Sequence, residues 1–207
     1  SIAEDLVEEV GRLHGYEHVV ATAPAAPMHP RKPSAARVLE REGRAVLSLD
    51  LGYAEIASYV FHGAAEAQKL GVGPDTLVRL QNPLSADQDR LQVTSAQNLL
   101  RAAVRNRPRE ASLRLCEWTR VLPKSDRTAR DLPAETPVVG LLAAEAAAGG
   151  DPAGNVHRGL VADVGALLER LGVAAFTVAD ATDGDSIHAL LPTPPWLHPG
   201  RRATFRA

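Results

Sequence analysis

The fold is decided by Ser112-Leu-Arg-Leu-Cys-Glu-Trp-Thr-Arg-Val-Leu122, which reads as one long strand, followed by the polar loop Pro123 to Pro137 and a second apolar strand over Val138 to Ala144. Strands that follow one another without an intervening helix pair antiparallel, because a parallel partner needs a long crossover. The elements outward from this pair repeat the theme. Upstream, Ser34 is placed to cap a helix running to about Leu51, with Val38, Leu39, Val46 and Leu49 on one side and Leu47 and Leu51 on another. Tyr53 to Phe61 has the aromatic and β-branched content of a strand, Gly63 to Leu70 reads as a short helix, and Thr76 to Gln81 as a strand ending at the Asn82-Pro83 turn. Thr94 or Ser95 caps a helix to about Arg107, where Pro108 stops it. Downstream, Gly159 to Leu171 is an amphipathic helix ended by Gly172, with Val161, Val164, Leu167, Leu168 and Leu171 inward. Strands over Val173 to Ala179 and Ser186 to Leu191 precede a proline-rich loop, Pro192 to Pro199. The expectation is an α+β chain, an antiparallel sheet with flanking helices on one face and no internal repeat.

The 207 residues are 45% apolar and 23% charged, enough for one or two compact domains with a sizeable core. A net charge of −2 argues against a protein that coats nucleic acid through a general positive field. The single cysteine, Cys116, excludes an intramolecular disulfide and suits a reducing compartment, and its apolar strand makes it a packed thiol. No apolar run is long enough to span a bilayer and no charged-then-apolar leader opens the chain, so the expected location is cytoplasmic. The chain opens inside a helix pattern and its end reads like a strand cut short, as in an excerpt of a longer polypeptide. Between Ala21 and Pro33 stand Pro24, Pro27, Pro30 and Pro33, the composition of an extended linker.

Ahead of that linker, Asp5-Leu-Val-Glu-Glu-Val-Gly-Arg-Leu-His-Gly-Tyr16 places Asp5, Glu8 and Glu9 at i, i+3 and i+4 of a helix, while Ile2, Leu6, Val10 and Leu13 follow the same period on another face and are expected to pack inward. Three neighbouring carboxylates are answered either by the positive end of the helix, at ~0.3–1 kcal/mol each, or by a hard divalent cation such as Mg²⁺ that takes carboxylate oxygens and keeps several waters. The cation reading admits a free-standing metal-dependent enzyme, but no nucleophile or base is evident near these acids. His157 and Asp163, either side of Gly159, lack the spacing of a metal motif. The run Arg101, Arg105, Arg107 and Arg109 reads as a solvated helix face, with Glu110 and Glu117 nearby, ahead of a phosphate-binding surface.

The first helix resembles the Asp-Leu-x-Glu-Glu-Val-x-Arg-x-x-Gly-Tyr signature that closes a small helical domain in the beta subunit of bacterial phenylalanyl-tRNA synthetase. The resemblance continues along the chain. Gly52-Tyr-Ala-Glu-Ile-Ala-Ser-Tyr-Val-Phe61 is similar to the family's Gly-aromatic-x-Glu-Val-x-x-Tyr-Ser-Phe strand, with Val60 where Ser is usual. Asn82-Pro-Leu-Ser85 matches its turn, Leu99, Leu100, Asn106 and Arg109 the helix after it, and Leu197-His-Pro-Gly-Arg-Arg-Ala203 the segment near the module's end. Two departures stand out: Gln92 replaces an arginine of the family's Met-Arg-Thr-Ser run, and Cys116-Glu-Trp-Thr119 replaces Phe-Glu-x-Gly.

What this resemblance implies is a division into residues 1–20, the last helix of a preceding small domain, 21–33, the linker, and 34–207, a class II aminoacyl-tRNA synthetase-like core. In the family that core occurs once in each subunit, and only the alpha copy activates phenylalanine. A working copy needs an Arg-x-Glu pair and a Gly-rich segment ending in Arg to stabilise ATP phosphates. Here Arg114 with Glu117 has the wrong spacing and Gly200-Arg201 lacks the glycine series, so the expected role is a scaffold without catalytic residues. His198 is explained by the turn at Pro199 and Gly200. The implied assembly is an alpha-two beta-two tetramer charging tRNA(Phe) with ATP, which is not bound by this module. It also implies that Asp5, Glu8 and Glu9 help hold a Mg²⁺ shared with the alpha subunit, absent from the chain alone. The helix from Ser34 to Leu51 is expected to divide Val38, Val46 or Leu47, and Leu49 between its own core and a subunit interface, so that without alpha the chain either self-associates through this helix or stays poorly soluble. A repurposed paralogue acting as a binding module is the remaining alternative.

Overall fold

A computed structural model describes residues 2–125, 127–145, 152–173, 175–180 and 203–206. The chain divides into two compact units, Ser1–Pro33 and Ser34–Ala207.

In the first unit, helix α1 (Ala3–His14) runs to Gly15, whose φ of 93° breaks it, and a 3-10 turn follows at Tyr16–His18. The apolar stripe does not pack inward as expected. Ile2, Leu6, Val10 and Leu13 are 63%, 63%, 67% and 80% exposed, and α1 has no buried residue. A helix with its linker supplies no opposing apolar face, so the stripe has nothing here to pack against. The segment 19–33 is exposed throughout and carries no helix or strand.

The second unit is built around β4 (Ser112–Val121), paired antiparallel along its whole length with β5 (Thr136–Glu145). The long strand pair is therefore as read from sequence. Its other neighbour, β1 (Ala54–Glu55), runs parallel to it, so the sheet β1-β4-β5 is mixed and not purely antiparallel. Helices also cover both faces. Leu113 and Leu115 meet Leu99 and Ala103 of α4 (Ala96–Asn106), while Cys116 on the opposite face meets Leu47, Tyr53 and Leu167 of α5 (Pro152–Arg170). β4 carries apolar residues at both parities, which is the pattern of a strand buried on both sides.

The Ser34 cap forms as expected: its Oγ accepts from Arg37 N at 3.3 Å, opening α2 (Ala35–Ala45), which runs on into a π-helical turn, Val46–Asp50. Leu47 is fully buried there, whereas Leu49 is 82% exposed. Two close approaches lock helices to the sheet. A Cβ on Gly43 would stand 2.5 Å from the Trp118 ring, and one on Gly140 2.2 Å from Ser95 Oγ and 2.7 Å from Leu99.

The strand expected over Tyr53 to Phe61 is split into β1 and β2 (Phe61–His62), which pairs antiparallel with β3 (Arg90–Leu91). The strand expected over Thr76 to Gln81 reduces to a 3-10 turn, Pro74–Thr76, and a single bridge between Arg79 and Arg90. Leu77 instead joins a satellite cluster with Ala67 of α3 (Ala64–Lys69), Val72 and Val93. α5 begins at Pro152, earlier than Gly159, because proline is well suited to a first helical position. A separate antiparallel pair joins β6 (Thr177–Asp180) to β7 (Ala203–Arg206). The strand expected at Ser186 to Leu191 and the loop with His198, Gly200 and Arg201 lie outside the described residues.

Candidate functional site

The chemistry-bearing side chains of the second unit gather where α4 enters against β4. Gln92, Asn98 and Glu117 are 1%, 2% and 1% exposed, and His62 is equally buried. Gln92 is the hub. Its Nε2 donates to Thr119 Oγ1 at 2.8 Å and to the Arg120 carbonyl at 2.7 Å. Its Oε1 accepts from Asn98 Nδ2 at 3.1 Å and contacts His62 Nε2 at 3.2 Å. Asn98 Nδ2 also reaches the Tyr59 carbonyl at 3.4 Å and Glu117 Oε1 at 3.3 Å.

This cluster explains why the 53–61 segment leaves the sheet. Ser58 hydrogen-bonds Glu117, the Tyr59 carbonyl accepts from Asn98, and the Val60 carbonyl accepts from Gln92 N at 2.9 Å. Opposite Glu117 on β5 stands Gly140, where only a missing side chain admits Ser95 and Leu99 of the incoming helix. Burial pushes the Glu117 carboxyl above the ordinary carboxylate range despite the bonds from Ser58 and Asn98. Burial likewise holds the His62 imidazole below its usual value. The sequence signal for this hub was present, since Gln92 is a lone polar residue between Leu91 and Val93, but pattern alone assigned it no partners.

On the opposite face of β4, Arg114 donates to Asp163 and lies 4.6 Å from the centroid of the Tyr53 ring, while the Tyr53 hydroxyl donates to Asp163 Oδ2 at 2.8 Å. Burial first, and Asp163 second, raise the tyrosine far above its ordinary value. Arg114 and Glu117 thus point to opposite sides of the sheet and do not form a pair. His157, earlier on α5, takes no part in this tie.

The arginine run is largely consumed in structure. Arg101 grips Glu66 through both carboxylate oxygens at 2.5 and 2.7 Å, and Arg107 donates to the carbonyls of Glu110, Ala111 and Glu145 at 3.3, 2.6 and 2.9 Å. Burial opposes ionisation of Glu66, but the Arg101 contacts prevail and draw its carboxyl lower. Arg105 and Arg109 are exposed.

The acids of the first helix are turned to separate tasks. Asp5 Oδ2 accepts from Ile2 N at 2.9 Å, Glu9 pairs with Arg12 at 2.6 Å, and Glu8 is exposed beside them. All-oxygen donors suit Mg²⁺ in kind. Among the described residues no three His, Cys, Asp or Glu side chains stand together as a metal site.

Comparison with known proteins places these features. Residues 19–207 match the family model described as the phenylalanyl tRNA synthetase beta chain CLM domain. The phenylalanine–tRNA ligase beta subunit of Anaeromyxobacter dehalogenans is 34% identical over 219 residues, covering 100% of this chain and 25% of that protein. The same subunit from Vibrio cholerae is 38% identical over 120 residues, 57% of this chain and 15% of that one. This chain therefore spans a quarter or less of the relatives it matches. Among solved structures, pyrrolysyl-tRNA synthetase from Desulfitobacterium hafniense superposes with a TM-score of 0.57 at 16% identity, over 86% of this chain and 57% of that one. An ATP phosphoribosyltransferase regulatory subunit/histidyl-tRNA synthetase from Bacillus halodurans gives 0.54 at 18% identity, over 77% and 42%. The fold is thus that of class II aminoacyl-tRNA synthetases, and with a family model matched from residue 19 to the last residue, the chain belongs to the phenylalanyl-tRNA synthetase beta chain CLM domain family.

Proposed function

We propose that this chain is a non-catalytic scaffold and subunit-interface module of a phenylalanine–tRNA ligase beta subunit, supporting ATP-dependent charging of tRNA(Phe) by an alpha subunit in an alpha-two beta-two assembly. The observation that carries the reading is the fate of the arginines. Arg114 is spent on Asp163 and Tyr53, Arg101 on Glu66 and Arg107 on backbone carbonyls. Adenylate formation from ATP needs pre-placed cations aimed at the phosphates, and these three are aimed at other groups of the protein. A pyrophosphate-exchange assay with phenylalanine is the test. The chain alone should give none, and robust exchange by the purified chain would overturn the proposal.

The three-part division follows from the same reading. Residues 1–20 act as the last helix of a preceding small domain, 21–33 as linker and 34–207 as the synthetase-like core. The family model's start at residue 19 supports it. Asp5, Glu8 and Glu9 contribute to a Mg²⁺ site only when ligands from the rest of the assembly join them. Calorimetric titration with MgCl₂ should give no specific heat for the chain alone. Leu39, 46% exposed, and Leu49 are the apolar residues that α2 and its turn offer to other subunits. Replacing Leu49 by Glu should abolish self-association in the ultracentrifuge, and a wild-type monomer at every concentration counts against the interface. No helix among the described residues is long and apolar enough to cross a membrane, and a cytoplasmic location accords with the proposed activity. The free-standing metal enzyme loses ground, because its acids are not gathered and the family is one of synthetase subunits.

A further inference from the structure

The buried cluster around Gln92 has an imbalance. Both hydrogens of Gln92 Nε2 are given to Thr119 and Arg120, so its Oε1 is an acceptor and His62 Nε2 must be the N–H that donates to it. His62 Nδ1 is then a bare lone pair. Three side-chain atoms in this cluster have no hydrogen-bond partner among the described residues: His62 Nδ1, Asn98 Oδ1 and Glu117 Oε2. Every one of them is an acceptor. The same space also holds the Tyr59 carbonyl and Gln92 Oε1, both facing the single Asn98 amide. Ser58, through its side chain and its backbone, and Asn98 supply hydrogen bonds to Glu117, and a carboxylate here adds charge to a place already crowded with lone pairs.

Among the described residues no cation answers it. From α4, Glu117 meets only Asn98, and from the 56–60 segment only Ser58. Across the sheet its neighbour is Gly140. Apart from Glu117, the only ionisable group in the network among the described residues is His62, reached through Gln92, and behind it Glu66 and Arg101 satisfy each other, with Glu66 Oε2 3.8 Å from His62 Nδ1. An uncompensated buried carboxylate is costly, and the usual escape is to take up a proton.

We propose that Glu117 is carried in the folded domain as the neutral acid at neutral pH, so that folding of this synthetase-like core takes up a proton at a site deep between β4 and α4. This does not depend on the scaffold reading. The upward displacement of Glu117 by burial agrees with it. The sign follows: below the ordinary glutamate range both states are protonated, and as pH rises the unfolded chain ionises while the folded one does not. Stability contributed by Glu117 is therefore full at low pH and is lost up to its raised folded value, then constant. His62 acts in the opposite sense. Its depressed folded value makes stability fall as pH drops below the ordinary imidazole range.

The test is urea unfolding of the chain and of Glu117→Gln across pH 4 to 8, with the infrared carbonyl band of a protonated carboxyl as second readout. Glutamine keeps the oxygen that accepts from Asn98 and adds donors where the acid has its proton. The ratio of the two unfolding constants should change about tenfold per pH unit within the window, in favour of Glu117→Gln at higher pH. At pH 7 the wild type should show a buried carboxylic-acid band that Glu117→Gln lacks. Parallel stability profiles, a uniform loss in Glu117→Gln, or no acid band at pH 7 would each overturn the proposal. So would a pH slope that survives Glu117→Gln and disappears in His62→Asn.

Discussion

Two amphipathic helices in this chain carry the same kind of apolar stripe and meet opposite fates. The stripe of α1 is exposed along its whole length, whereas the helix from Ala35 through the π turn sinks Leu47 against Tyr53, Cys116 and Leu167. Periodicity tells which face of a helix is to be covered. It does not tell whether the cover belongs to the same chain. The π turn sharpens the lesson, since it adds a residue to the turn and so re-aims the helix just where it passes the sheet.

Substitutions along the two helices and the strands they face put a scale on this contrast. Leu47→Ala should cost about 2–5 kcal/mol in urea unfolding, the range for emptying a packed core site. A cost under 1 kcal/mol would mean that the turn is not anchored by this side chain. Gly140→Ala should cost about 1–3 kcal/mol, because its methyl group meets Ser95 and Leu99 and both must shift to admit it. Stability unchanged there would show that α4 stands further from β5. Ser34→Ala should remove about 1 kcal/mol through loss of the cap on Arg37 N, and Ser34→Asn should restore it. At the bottom of the scale, Leu13→Ala on α1 should lie within about 0.5 kcal/mol of wild type. A larger loss in the isolated chain would mean that the stripe is already covered by something in solution.

Much of the fold was legible because long elements announce themselves. The ten-residue strands β4 and β5, the Ser34 cap and the helix stopped before Pro108 all rest on local signals that no tertiary contact overrides. The failures share one cause. Tyr53 to Phe61 has the composition of a strand, yet Ser58 and Tyr59 are bent out of the ladder to serve polar groups 30 and more residues away. Thr76 to Gln81 was drawn into a turn by the burial of Leu77. Gln92 stood out as a departure from the family pattern and as a polar residue between Leu91 and Val93, but its role did not, because its four partners come from β2, α4 and β4, which no reading along the chain brings together. The acids at Asp5, Glu8 and Glu9 were found by spacing, but spacing is silent on whether Ile2 N and Arg12 claim them first.

Cys116 is 1% exposed, and burial first, with Glu55 adding to it, pushes its thiol up to about 11. Only the thiolate reacts, so a chromogenic disulfide reagent finds this sulfur when the β4 layer opens and at no other time. With a single cysteine in the chain, every molecule of released chromophore marks one opening event. At reagent concentrations where reaction outpaces reclosing, the rate of colour development therefore clocks the opening of the domain's centre, and at lower ones it reports how often that centre stands open.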